Sequence, residues 1–375
     1  MGLDEIDTPF LLLDPDKVSR NISRLRRRTS ELGVGLRPHV KTAKSPDVAG
    51  LLFDGATGPI TVSTLREAEV FGAEGFTDIL YAVGIAPDKL ARVLALYRRD
   101  VPVVVLLDTV EQARAVADAS RQSGIAIRAL IEIDCDGHRG GIAPEDPALP
   151  AIAATVADGA RLLGVLAHAG ESYFCYHEDA LAAAAEGERA ATVRAAEVLR
   201  ANGFACPIVS VGSTPTAHAA RDLTGVTEMR AGNFVFFDLV MAGIGVCSVD
   251  DIAVSVVATV IGHRRDRGWI ITDSGWTALS ADRSTARQPV DQGYGLASDV
   301  DGTVHPDLLV ADVTQEHGIL SLRAGSGAAL PDLPVGTRVR ILPNHACATA
   351  EQHDRYHVLG DDGAVCAVWP RVQGW

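Results

Sequence analysis

Lys41 stands in the segment LRPHVKTAKS, residues 36–45, at the end of a β-type run and beside His39 and Thr42. A lysine in this setting is either a surface charge or an amine able to condense with an aldehyde. Other polar residues also follow β-type runs: Ser63 and Thr64, Asp108, Arg139, His168 with Tyr173, Ser213 and Thr214, and Arg230 to Asn233. One such residue alone usually makes a loop hydrogen bond, so the group is more informative than its members. A lysine, an arginine, a histidine, a Gly-Ser-Thr turn and a Gly-Asn turn on one mouth would suit a phosphate-bearing aromatic cofactor. VGSTPT (211–216) and RAGN (230–233) expose backbone N–H groups and hydroxyls, and glycine there permits close backbone approach to a phosphate. The lysine could hold an aldehyde, and an arginine could hold a phenolate oxygen or ring nitrogen. Many phosphate-binding barrels share this spacing.

A second pair lies in PNHACAT (343–349). His345 and Cys347 are two residues apart in a predicted strand, where alternation places i and i+2 on one face. An imidazole and a thiolate so placed could ligate one ion, although plain β packing gives the same pattern.

The elements that must position these groups are legible as a repeat. From residue 34 to about 240, β-type runs such as VPVVVLLD (101–108) and AIRALIEID (126–134) alternate with helical stretches such as TVEQARAVADASRQSG (109–124). About eight strand–helix units predict an α/β fold with a parallel sheet closed into a (β/α)8 TIM-like barrel, whose chemistry sits at the C-terminal ends of the strands. An open doubly wound sheet is the competitor, weakened by the lack of a G-x-G-x-x-G after the first strand. Beyond residue 246, short β-type runs alternate with Gly, Asp and Pro turns and no long helix appears, which predicts a mostly antiparallel β domain. The expected division is a barrel over 21–245 and a β domain over 246–375, with residues 1–20 associated with the latter.

Composition narrows the function class. The net charge of −14 over 375 residues argues against a nucleic-acid partner and against an anionic membrane surface. The longest apolar runs are too short to span a bilayer. The sequence opens MGLDEIDTPF with no basic-then-apolar leader, so the six scattered cysteines read as reduced thiols in a cytoplasmic protein.

Several stretches together carry a resemblance: DTPFLLLD (7–14), RPHVKTAKS, HRGG (138–141), AHAGESY (167–173), VGSTPT, EMRAGNFVFFD (228–238), DSGWTALS (273–280), QGYG (292–295), QEHG (315–318) and PNHACAT. Over nearly its full length the chain resembles the fold-type III pyridoxal-phosphate enzymes with an alanine-racemase-like barrel. Within them it is similar to the branch of D-serine dehydratase, D-threonine aldolase and the D-3-hydroxyaspartate dehydratases and aldolases.

The resemblance implies that Lys41 carries pyridoxal 5'-phosphate covalently and acts as the catalytic base. It implies Arg139 at the cofactor's O3′ side, His168 and Tyr173 near its ring, and Ser213, Thr214, Gly232 and Asn233 at its phosphate. Arg230 would face the pyridine nitrogen, the place where racemase-like members set an arginine. It further implies that His345 and Cys347 hold a divalent ion. A soft thiolate favours Zn2+, with Mn2+ or Mg2+ as the harder alternatives. The expected reaction removes water and ammonia from a D-β-hydroxyamino acid, D-serine or D-threo-3-hydroxyaspartate, to give a 2-oxo acid. The alternatives are a metal-dependent aldolase giving glycine and an aldehyde, and a non-catalytic cofactor-binding protein. A homodimer is implied as well.

Overall fold

The computed structural model describes all 375 residues. In chain order the first elements are β1 (Phe10–Leu13), α1 (Pro15–Glu31), β2 (Gly35–Pro38), α2 (Pro46–Leu52), β3 (Ile60–Val62), α3 (Leu65–Ala73), β4 (Ile79–Gly84) and α4 (Leu90–Tyr97). The series continues with β5 (Val103–Leu107), α5 (Val110–Ser123), β6 (Arg128–Ile133), α6 (Leu149–Ala157), β7 (Arg161–Ala167), α7 (Glu178–Ala201), β8 (Ile208–Val211), α8 (Thr214–Ala219) and β9 (Glu228–Ala231). Then come α9 (Leu239–Gly243), β10 (Val254–Arg264), β11 (Trp269–Thr272), α10 (Trp276–Leu279), β12 (Gly295–Asp299), β13 (Val304–Val313) and β14 (Gly318–Leu322). The last elements are β15 (Arg338–Pro343), α11 (Ala346–Ala350), β16 (Arg355–Leu359) and β17 (Val365–Pro370). No helix is long and apolar enough to cross a membrane.

The chain forms two compact units, Ser23–Gly232 with Val372–Trp375, and Met1–Ile22 with Asn233–Arg371. The division thus falls at Gly232/Asn233 rather than near residue 246, and the last four residues go with the barrel. The segment 233–245 carries a buried run, Phe234 to Met241, that packs with the β unit, and hydrophobicity alone does not tell which core such a run joins.

In the first unit, eight strands run in the order β2-β9-β8-β7-β6-β5-β4-β3, every neighbouring pair parallel. A parallel bridge between His39 and Thr61, with Val40 N–H donating to Thr61 C=O at 2.9 Å, joins β2 to β3 and closes the ring. Strands covered on both faces read as continuous apolar runs, and VVVLL of β5 is buried throughout. Helices start where side chains satisfy the first free N–H groups: Thr64 caps α3, and Thr109 with Gln112 forms a capping box on α5.

The second unit is a nine-stranded sheet, β11-β14-β13-β12-β15-β10-β1-β16-β17, in which β11 also pairs with β10, so six of its strands form a closed barrel. All its pairs are antiparallel except β1 with β16. Leu3, Ile6, Phe10, Leu12, Val257 and Val365 form one of its apolar clusters.

Candidate active site and metal-ligand pair

The barrel delivers its polar residues to one end. Lys41 follows β2 and is exposed, Arg139 follows β6, His168 follows β7, Ser213 and Thr214 follow β8, and Arg230 and Gly232 lie in and after β9. Tyr173 sits in the 3-10 turn Gly170–Phe174, its ring centroid 6.5 Å from that of His168.

Two glycines shape the turns. Gly212 has φ +137°, and a Cβ there would lie 1.9 Å from the Arg230 carbonyl oxygen. At Gly232 a Cβ would lie 3.0 Å from His39 O and 3.1 Å from Thr42 Oγ1. Both positions therefore need glycine because a side chain would run into the neighbouring strand at Gly212 and into the His39–Thr42 loop at Gly232.

Ser213 is hydrogen-bonded within its turn. Its hydroxyl caps α8 by accepting from Thr216 N at 3.2 Å and meets Ser172 Oγ at 2.8 Å. Its own N–H donates to Thr216 Oγ1 at 2.9 Å. Ser213 thus shapes the turn, and Thr214 leads the helix.

Behind this turn lies a carboxylate that sequence reasoning missed. Glu188, fully buried in α7, accepts at Oε1 from Ala169 N and Gly212 N, both at 2.9 Å, and at Oε2 from Thr216 Oγ1 at 2.7 Å. It ties the β7 loop, the glycine turn and α8 together, and burial pushes its carboxyl up. A signal was present: the buried stripe of α7 is Leu181, Ala185, Glu188, Thr192, Ala195, Ala196 and Leu199, so the glutamate falls on a helical apolar face.

Arg230 is buried, with Nη1 donating to Ser210 Oγ at 2.7 Å and Nη2 to Ala167 C=O at 2.6 Å. Arg139, 60% exposed at its side chain, reaches Glu132 Oε1 at 3.3 Å. His168 Nδ1 lies 3.0 Å from Gly212 C=O, an acceptor only, so Nδ1 carries the hydrogen. Burial pushes the His168 imidazole down to about 3, with the charges of Lys41, Arg230 and Arg139 adding to it against the Gly212 hydrogen bond. His39, beside Lys41 in the chain, is held well below its ordinary value by burial first and then by Lys41 and Arg230.

Asn233 opens the β unit. Its Nδ2 donates to Asp238 Oδ2 at 2.5 Å, and its Oδ1 is buried with no partner. One of the two N–H groups of the side-chain amide is committed in this way.

The metal-ligand pair is also in the β unit, and here the strand expectation fails. β15 ends at Pro343, and His345 is the N-cap of α11, with Cys347 in the first turn of that helix. Pro343 and Asn344 end the ladder, since a proline cannot donate to it and the Asn344 side chain bonds Thr285 Oγ1 and Gly293 C=O, each at 2.6 Å. The two side chains meet nonetheless, because His345 hydrogen-bonds the Cys347 thiol group.

His345 Nδ1 lies 3.1 Å from Asp282 Oδ2, which orients the ring. Burial alone would raise the Asp282 carboxyl, but hydrogen bonds from His345 and Ser284 outweigh it and take it down to about 2. A carboxylate behind a histidine is the usual support of a metal ligand. No cluster of three or more His, Cys, Asp or Glu side chains is placed to hold an ion, so a metal here would have two protein ligands and open positions. The imidazole, the thiol and the supporting carboxylate fit such an ion.

Glu316 and His317 of QEHG, open to either a base role or an ordinary turn on sequence grounds, bond Thr277 Oγ1 at 2.9 Å and Thr314 Oγ1 at 3.3 Å. Both are exposed turn residues.

The chain matches the family described as "Alanine racemase, N-terminal domain" over residues 13–240 and the "Putative serine dehydratase domain" over residues 253–359. It is 53% identical to D-threo-3-hydroxyaspartate dehydratase of Delftia sp. strain HT23, over 99% of this chain and 98% of the relative. It is 28% identical to D-serine dehydratase of Dictyostelium discoideum, over 100% and 98%. Among solved structures, a cysteine-to-alanine variant of D-threo-3-hydroxyaspartate dehydratase in the metal-free form superposes with a TM-score of 0.97 at 52% identity, covering 100% of both chains. The fold and these matches agree: the chain belongs to the alanine-racemase-like fold-type III family, in the branch of D-serine dehydratase and D-threo-3-hydroxyaspartate dehydratase.

Proposed function

We propose that the protein is a pyridoxal-phosphate- and metal-dependent lyase that removes water and ammonia from D-threo-3-hydroxyaspartate or D-serine. The observation that carries this reading is the His345–Cys347 pair braced by Asp282, in a chain 53% identical over its length to a D-threo-3-hydroxyaspartate dehydratase. D-threo-3-hydroxyaspartate is the favoured substrate for the same reason.

Lys41 would hold the cofactor, with backbone N–H groups of Thr214, Gly232 and Asn233 at its phosphate, Arg139 at its O3′ side, His168 and Tyr173 near its ring and Arg230 at its ring nitrogen. Bound pyridoxal phosphate supplies an electron sink for charge at Cα. Lys41, an amine at the strand end, would take the proton from the substrate's Cα. His168 stays an uncharged ring at working pH and does not compete for that proton. Arg230, fixed by Ser210 and Ala167, keeps its charge in place through the reaction. An ion on His345 and Cys347, zinc by the softness of the thiolate, supplies Lewis acidity to a leaving hydroxyl. Loss of the Cα proton and the Cβ hydroxide leaves an unsaturated amine, which takes up water and releases ammonia and a 2-oxo acid. That acid is oxaloacetate from D-threo-3-hydroxyaspartate and pyruvate from D-serine. A homodimer accompanies this reading and is checked by sedimentation equilibrium.

The test is a product assay. Protein loaded with pyridoxal phosphate and zinc is given D-threo-3-hydroxyaspartate, D-serine and D-threonine separately, and 2-oxo acid, ammonia and glycine are measured. Equal oxo acid and ammonia, lost on chelation and in Lys41→Ala, is expected. Glycine with an aldehyde would replace elimination by retro-aldol cleavage.

A further inference from the structure

EMRAGNFVFFD ends on a carboxylate for which the reaction above has no use. Asp238 is fully buried, and each of its oxygens is engaged. Oδ1 accepts from Met241 N at 2.9 Å and so caps α9. Oδ2 accepts from two donors far apart in sequence, Asn233 Nδ2 at 2.5 Å and Ala346 N at 2.9 Å. Asn233 belongs to the glycine turn assigned to the cofactor phosphate. Ala346 lies between the two metal ligands. Two residues further on, Val240 N donates to Asn344 C=O at 3.2 Å, so the backbone on both sides of His345 is pinned to the segment that follows Asn233.

We infer that Asp238 is a positioning residue that couples metal occupancy at His345 and Cys347 to cofactor binding at the Gly232–Asn233 turn. The inference rests on the functional reading above, since it takes the two ligands from there. Its physical basis is that one oxygen serves both donors. A shift of the α11 start that seats an ion moves Ala346 N against Oδ2, and the Asn233 amide must follow or lose its acceptor. A buried donor deprived of its acceptor costs about 1–3 kcal/mol, so the two adjust together rather than one alone. Asn233 Oδ1 is unpartnered, and no other acceptor holds the amide in place.

Linkage makes the consequence measurable. If metal strengthens cofactor binding by some factor, cofactor strengthens metal binding by the same factor, and typical couplings are about 5–150-fold. The experiment titrates pyridoxal phosphate into cofactor-free protein with and without zinc, following cofactor absorbance. It then titrates zinc with and without pyridoxal phosphate, following the metal with a competing chelator dye. The wild type should give equal factors, about fivefold or more, in the two directions. Asp238→Asn keeps an Oδ1 for Met241 N and places an NH2 against the Asn233 and Ala346 donors. In it both factors should fall to one. Asn233→Ala removes only the Asn233 arm and leaves the Ala346 and Met241 bonds, so it should keep wild-type zinc affinity in the cofactor-free state and also lose the coupling.

Wild-type affinities that ignore the other ligand overturn the inference without any variant. Coupling that survives in both variants overturns it too, because direct attraction between ion and phosphate would then suffice. A wild type that takes up neither pyridoxal phosphate nor zinc fails at the functional reading, and the inference falls with it.

Discussion

His168 shows how one side chain's surroundings set its chemistry. Burial and three neighbouring cations keep the imidazole neutral down to about pH 3, whereas in the unfolded chain it would titrate near 6.5. Between those values the unfolded state binds the extra proton, so stability rises with pH there and is lost as pH falls toward 3. The slope from this residue is up to about 1.4 kcal/mol per pH unit. Urea unfolding of the cofactor-free protein at pH 5 and pH 7 should show a weaker pH dependence in His168→Asn than in the wild type, and equal slopes would mean that His168 is charged. Asp282 acts through His345 instead. Asp282→Ala should weaken zinc binding by about 10–100-fold while leaving the cofactor absorbance in place. Zinc affinity unchanged by that substitution would remove Asp282 from the site. Asp282 lies 63 residues from its histidine, with no spacing to announce it. Lys41 stood out only through its motif, and His345 and Cys347 were paired on a strand that turned out to be a helix start.

Helix α7 separates two kinds of legibility at the scale of an element. Its length and apolar stripe follow from a 3.6 period, and so does the anomaly of a glutamate on that stripe. What the period does not show is which three donors wait for it. Glu188→Ala would strand Ala169 N, Gly212 N and Thr216 Oγ1, at about 1–3 kcal/mol for each buried group left unpaired. The expected loss is several kcal/mol, together with weaker pyridoxal phosphate binding, because Gly212 is held in its positive-φ turn by that carboxylate. The neighbouring Gly187 is exposed, with open space where a Cβ would go. Gly187→Ala should therefore stabilise the same helix by up to about 1 kcal/mol. Thermal unfolding of both variants checks the pair, and a Glu188→Ala protein as stable as wild type would make its three hydrogen bonds irrelevant.

For the whole molecule, the alternation of strands and helices was enough to read the barrel, since each unit's period is local. The edge between the units was not, because 233–245 is apolar enough for either core and only tertiary packing assigns it. The chain's first strand was expected with the β domain, and its pairing shows how deeply it is set there. Phe10 to Leu13 are four buried residues. They pair antiparallel with β10, from Phe10 opposite Val257 to Leu13 opposite Val254, and parallel with β16 at Leu12–His357 and Leu13–Val358. β1 is thus an interior strand of a sheet whose other members come more than 230 residues later. Burying a large apolar side chain stabilises by about 1.5–3 kcal/mol, so these four amount to roughly 6–12 kcal/mol, against a typical total of about 5–15. Their removal would also leave β10 and β16 with unpaired edges in the middle of the sheet. A chain lacking residues 1–14 should therefore lose zinc binding and its cooperative urea transition, or fail to remain soluble, although neither metal ligand is near the cut in sequence. If the truncated protein bound zinc with wild-type affinity, β10 and β16 would have to pair without β1, and the central place of that strand in the β unit's stability would be refuted.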